Sequence, residues 1–245
     1  MIAKLLSFFG SSKPVVVDCY TADQSVFEYS KIDRAVNFYP DWWREIPKDV
    51  DWLTMKGCAG FLDQYKKSFV MPMWSDFNVK LNEDNTFTWR FPNDEMSSAT
   101  WHEPIEYPNW IHDKSQHIKL MSPWLLHCDE EVYFQILPVQ FSKNRLFEWQ
   151  SVTGVVEYKH QHSTNVNLFL NGNQCSDFSI AFGEPLIFLV PLTERKVVFK
   201  YHLVSSEEIK RKQSIFAKVA KNKYLSSKKL KTAQTAACPF SRGKN

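Results

Sequence analysis

The sequence predicts a mainly β protein: a sandwich, jelly roll or barrel, dUTPase-like or cupin-like, with a short N-terminal helix and a C-terminal amphipathic helix followed by a basic tail. Three observations predict it. Short apolar-polar alternations recur along the 245 residues, prolines punctuate the first half, and the chain is 44% hydrophobic and 15% aromatic with only 7 glycines. That composition excludes a disordered, collagen-like or low-complexity chain. No apolar run reaches the roughly 18 residues that a membrane span requires, so a soluble protein is expected.

The elements follow in order. Ile2, Leu5, Leu6 and Phe9 share a helical spacing, and the interrupted apolar stretch lacks a small-residue cleavage site, so residues 1–13 read as an amphipathic segment and not as a signal peptide. The β-rich body, 14–204, opens with a strand at Val15-Val16-Val17. Prolines 40, 47, 72, 92, 104, 108 and 123 then predict short strands and long loops, because each removes a donor and restricts its predecessor. Alternation in Asn78-Val79-Lys80-Leu81 and in Thr86-Phe87-Thr88-Trp89-Arg90-Phe91, around the turn formers Asn82-Glu83-Asp84-Asn85, predicts a β-hairpin. Further strands are expected at 132–138, 146–150, 152–158, 164–170, 185–191 and 196–204. Ser205-Ser206-Glu207-Glu208 offers a capping box for a helix over 205–225, whose apolar face would use Ile209, Phe216 and Val219. Residues 226–245 form a basic tail.

Charge divides the chain more sharply than its net +3 suggests. Eleven of the 30 basic side chains lie between Lys210 and Asn245, with no acid among them, leaving 19 basic against 27 acidic in residues 1–209, a net −8. An acidic body with a basic arm suggests an arm that touches a protein partner, nucleic acid or the body itself, or one that stays solvated. The partner-binding residues would be Ile209 and Phe216 on the apolar side, Lys210, Arg211, Lys212, Lys218 and Lys221 on the helix, and Lys228, Lys229 and Lys231 in the tail. Cysteines 19, 58, 128, 175 and 238 are odd in number and show no C-x-x-C, as expected of buried thiols in a reducing compartment.

Five local signatures occur in order: Pro40-Asp41-Trp42-Trp43, Cys58-Ala59-Gly60-Phe61, Phe69-Val70-Met71-Pro72-Met73-Trp74-Ser75-Asp76, Ser122-Pro123-Trp124 and Gly183-Glu184-Pro185-Leu186. The set resembles an uncharacterised family of tailed-phage and bacterial proteins over roughly 38–196. That resemblance implies a phage or bacterial source and an all-β core, and it transfers no catalytic residue. Residues 152–192 also resemble the strand-turn rhythm of dUTPase-like β-sandwiches, through Gly154-Val155-Val156-Glu157-Tyr158, Asn171 and Phe178-Ser179-Ile180-Ala181-Phe182-Gly183-Glu184-Pro185-Leu186. Glu157 stands where those enzymes carry a catalytic Asp. Their Arg-Ser-Gly phosphate loop and Gly-rich arm have no counterpart, so the likeness implies fold and no chemistry.

Two partial metal patterns remain. Gly154, His160 and His162 match the opening of a first cupin motif, and i, i+2 imidazoles on a strand face the same way, but Asn165 and Asn167 occupy the place of the expected carboxylate. An exposed His pair on a strand explains them more simply. His127-Cys128-Asp129 supplies two legs of a 2-His-1-carboxylate site, with His202 as third ligand and Arg211 as the basic residue of an iron and 2-oxoglutarate oxygenase. H-x-D also arises by chance, and Arg211 falls in the expected helix. Trp42, Trp43, Trp52, Phe61, Phe69, Trp74 and Phe77 would floor a ligand groove, with core packing as the default. No G-x-S-x-G, P-loop or Gly-rich dinucleotide turn occurs.

The sequence therefore predicts a non-enzymatic binding or structural protein of phage type, free of cofactor, in the host cytoplasm or a virion. It would dock on a protein partner through the helix and arm, as a homo-oligomer or virion component, with nucleic acid as a second target of the tail. The alternative is a metal-dependent cupin or double-stranded β-helix enzyme that uses His127, Asp129, His160, His162 and His202.

Overall fold

Val15–Thr21 sets the pattern of the body: Val15, Val17, Cys19 and Thr21 are buried while the residues between them are only partly so, as a strand with one face on a core requires. The chain is described by a computed structural model over residues 13–47, 54–82, 86–92, 98–101, 115–139, 148–171 and 177–214. It is mainly β. The sequence-predicted N-terminal segment and basic tail, together with Phe216, Lys218, Val219, Lys221, Lys228, Lys229 and Lys231, lie outside the described residues.

Strand β1 (Val15–Thr21) pairs in parallel with the last strand, β14 (Val197–Leu203), over seven residues, and antiparallel with β7 (Ser115–His127). The first sheet runs β14-β1-β7-β11-β9, where β11 is Ser163–Asn171 and β9 is Trp149–Ser151, and β6 (Ser98–Trp101) pairs with the first half of β7. A second sheet has the order β10-β8-β13-β3-β2, namely Gly154–Glu157, Tyr133–Pro138, Pro185–Pro191, Phe69–Pro72 and Asp33–Arg34. The expected hairpin forms as β4 (Phe77–Leu81) and β5 (Phe87–Arg90), closed by the Asn82 N–H donating to the Thr86 carbonyl, and β12 (Asp177–Ile180) completes this third sheet. None of the three sheets closes on itself among the described residues, so the barrel form expected from the sequence is not built.

One core joins all three sheets. Val17, Leu120, Leu126 and Leu168 from the first sheet meet Phe134, Ile187 and Leu189 from the second and Phe77, Val79 and Phe178 from the third. Strand β13 is buried on both faces, because Ile187 and Leu189 enter that core while Phe188 points the other way. Phe188 meets Tyr65 of a helix the sequence reading did not assign, α3 (Ala59–Lys67), with rings 5.3 Å apart. Two further short helices, α1 (Gln24–Tyr29) and α2 (Asp41–Glu45), also precede the hairpin. The Asp23 carboxylate caps α1 by accepting from the Val26 N–H at 3.0 Å.

Prolines do not shorten every strand. Pro123 sits inside the 13-residue β7, where the register with β11 shifts between Ser163 and Asn165 and where neither β6 nor β1 pairs. At such a bulge no ladder hydrogen bond is asked of its missing N–H.

Candidate functional site

Three of the sequence signatures hold the core together. The Trp124 indole is 1% exposed and donates to the Ser30 carbonyl at 3.0 Å, pinning β7 to the end of α1. The Gly183 N–H donates to the Met73 carbonyl, the Met73 N–H to the Glu184 carbonyl, and the Phe182 N–H to the Asp76 carboxylate at 2.8 Å. The turn can fold back this way because Gly183 adopts φ +76°, a conformation that costs glycine little. Ser122-Pro123-Trp124, Phe69 to Asp76 and Gly183 to Leu186 thus have structural work that explains them.

The other two signatures meet on the outer side of the second sheet. Trp43 from α2 stacks on Tyr39 at 4.6 Å and on Phe61 of α3 at 5.1 Å; Tyr39 in turn stacks on Tyr65 at 4.5 Å. Lys56 lies over the Trp43 ring. Trp42, Trp43 and Phe61 are half-buried. The expected aromatic groove divides in two: Trp74 and Phe77 are buried in the main core, and Phe69 packs on Phe199. Trp52 lies outside the described residues. Tyr39 and Tyr65 complete the stack; the i, i+4 spacing of Phe61 and Tyr65 was the signal for Tyr65, and Tyr39 carried none.

At one end of the first sheet His127 and His162 come together; His162 is buried, His160 lies in a turn and neither is in a strand, so the exposed strand pair expected from the sequence is not formed. His127 Nε2 lies 3.1 Å from Asp129 Oδ1, and the rings of His127 and His162 are 5.2 Å apart. His162 is 6% exposed and donates from Nδ1 to the Leu126 carbonyl at 2.9 Å, while the Leu126 N–H donates to the His162 carbonyl. Burial, with smaller contributions from the charges of His127 and His160, pushes the His162 imidazole down to about 4, so it is neutral at pH 7. His202 has a different partner: its Nε2 is 2.8 Å from Asp18 Oδ1, and its ring stacks on Tyr20 at 4.7 Å. Asp18 is the cross-strand neighbour of His127, so the two groups adjoin without sharing a ligand position. Among the described residues, no group of three or more His, Cys, Asp or Glu side chains is arranged to hold a metal ion. Arg211 is helical, with its side chain 70% exposed beside Glu208 at 3.9 Å.

Directly beside this end the C-terminal helix begins. Its expected cap forms: the Ser205 hydroxyl accepts from the Glu208 N–H at 3.2 Å, and residues 206–214 are helical. Lys212 reaches back over β1, its ammonium 4.0 Å from the Tyr20 ring centroid and 3.6 Å from Glu208. Burial raises the Tyr20 phenol, helped by the carboxylates of Asp18, Glu208 and Asp129. Ile209 and Lys210 line a cleft of about 450 Å³ whose floor includes Met121 and Pro123 of β7. Of the expected partner-binding residues, Lys212 therefore contacts the body and Ile209 lines the cleft, while Lys210 and Arg211 are exposed. Tyr20 and Asp18 were not singled out by sequence, since a Tyr and an Asp in a strand carry no motif.

No known protein-family model matches the chain, and no curated protein matches it significantly. No helix among the described residues is long and apolar enough to cross a membrane.

Proposed function

We propose that the chain is a non-enzymatic binding or structural protein of phage type, built as a β-sandwich or jelly roll, that docks on a protein partner through its C-terminal helix and basic arm. The observation that carries this reading is the seating of the helix. A cap at Ser205 and the Lys212 contact to Tyr20 hold the start of the helix on the first sheet, and Lys210 and Arg211, the first two of the eleven basic residues, are exposed. A helix held at its base on the body with basic side chains exposed supports a binding role. The core shared between the first and second sheets supports the sandwich form.

The preference for protein over nucleic acid rests on composition: beyond Phe216 the arm has only Tyr224 and Phe240 to stack on bases. Binding of the intact chain and of a 1–225 truncation to duplex and single-stranded DNA, at several salt concentrations, tests it. Protein docking predicts no micromolar DNA binding near physiological salt. Micromolar binding that disappears on truncation, with a log-log salt slope of about −0.9 per phosphate contacted, would establish a nucleic-acid arm instead.

A second reading, a metal-dependent cupin-like or double-stranded β-helix enzyme, draws on the closeness of His127 to Asp129 and to His162 at one end of the first sheet, and it requires these side chains to rearrange, because among the described residues no three of them are arranged to hold a metal ion. The neutral state of His162 is the one in which an imidazole binds metal.

A further inference from the structure

Strand β10 ends the second sheet, and its outer edge has no partner strand among the described residues. The opposite edge of the same sheet is blunted in the usual way. Strand β2 is two residues long, and both, Asp33 and Arg34, are charged and exposed. Strand β10 is less blunted: it is four residues long with one charged side chain, Glu157, at its end, it carries no Lys, Pro or bulge, and Val155 stands 59% exposed on its outer face. A β-branched apolar side chain on an open edge is what strand addition uses.

We infer that β10 is a self-association edge, on which a second copy of this chain adds antiparallel about a two-fold axis with Val155 opposite Val155 of the other copy. The register follows from the residues. A two-fold axis normal to the sheet keeps buried faces on one side and pairs residues of equal parity. Centring it on Val155 sets Gly154 opposite Val156, and Glu157 opposite the exposed, neutral Thr153. No like charges then face each other. The acidic run Asp129-Glu130-Glu131 precedes β8, at the end of the sheet where Glu157 pairs with Tyr133. The antiparallel arrangement places the acidic runs of the two copies at opposite ends of the joint. The product is a ten-stranded sheet whose buried faces remain continuous. This interface is separate from the described start of the C-terminal helix, and the proposal does not rest on the proposed function.

The register makes the test specific. In the full chain with Cys58, Cys175 and Cys238 replaced by Ser, Val155→Cys brings two thiols onto the axis, where antiparallel Cα separations of about 4.5–5.5 Å suit a disulfide. Thr153→Cys places its two thiols on the order of 13 Å apart along the strands. Mild oxidation should therefore link Val155→Cys into a dimer and leave Thr153→Cys monomeric. Sedimentation of the unsubstituted chain should show a concentration-dependent dimer, and Val155→Lys, which sets two ammonium groups face to face, should abolish it without changing the far-UV circular dichroism. A monomer up to about 100 µM, equal crosslinking of both cysteine variants, or a dimer that survives Val155→Lys would overturn the assignment.

Discussion

Lys212 places its ammonium 4.0 Å from the centre of the Tyr20 ring, and that contact ties the start of the C-terminal helix to the first strand of the body. The ring is held in turn by His202, which stacks on it at 4.7 Å while bonding to Asp18. Lys212 also lies 3.6 Å from Glu208 one turn earlier, so the helix braces the same side chain that anchors it.

Lys212→Ala should therefore loosen the helix locally and leave the body intact. A partly exposed cation-π pair contributes about 0.5–1 kcal/mol, enough to raise amide exchange over 206–214 by roughly two- to fivefold. Hydrogen exchange on the variant and on Tyr20→Leu measures this. Unchanged exchange in both would show that the helix is held by other contacts.

His162 makes the stability of the fold depend on acid. Its folded value of about 4 lies below the roughly 6.5 of an unfolded-chain histidine, so the unfolded chain binds the extra proton between those values. The contribution is fully present above about pH 6.5 and is lost as pH falls toward 4, by up to the order of 3 kcal/mol. His162→Gln keeps a donor for the Leu126 carbonyl and removes the titration. Denaturant melts from pH 7 to 4.5 should fall less steeply for the variant; parallel slopes would show that His162 is not responsible.

Tyr65 carries a cost that can be removed. Its side chain is 2% exposed, its hydroxyl has no hydrogen-bond partner among the described residues, and burial pushes the phenol up to about 12. Tyr65→Phe keeps the stacking on Tyr39 and Phe61 while deleting the unpaired hydroxyl, so the chain should gain about 1 kcal/mol in urea denaturation. A loss of more than about 0.5 kcal/mol would mean that the hydroxyl is bonded in solution.

What could be read from the sequence follows from how local each signal is. The β4-β5 hairpin was legible because alternation on both sides of an Asn-rich turn needs no distant partner, and the Ser205 cap because its donor and acceptor lie three residues apart. Strand β7 was not, since Pro123 reads as a break until β11 supplies the bulge that accommodates it. Helix α3 was hidden by Gly60 and by an opening at Cys58 whose side chain makes no cap hydrogen bond, although Lys66 and Lys67 in its last turn suit the helix dipole. At the candidate site the histidines were visible as short motifs, but the pairing of His202 with Asp18, 184 positions apart, is a product of the parallel β1-β14 ladder alone.

The proposed binding role is separated most directly from the metal-enzyme alternative by the metal content of the purified 245-residue chain. Elemental analysis of the chain and of His127→Ala and His160→Ala should find iron, manganese and zinc well below one equivalent, with no difference among the three proteins. One equivalent of any of these metals that is retained through purification and removed by both substitutions would contradict that role and establish the histidine cluster as a metal centre.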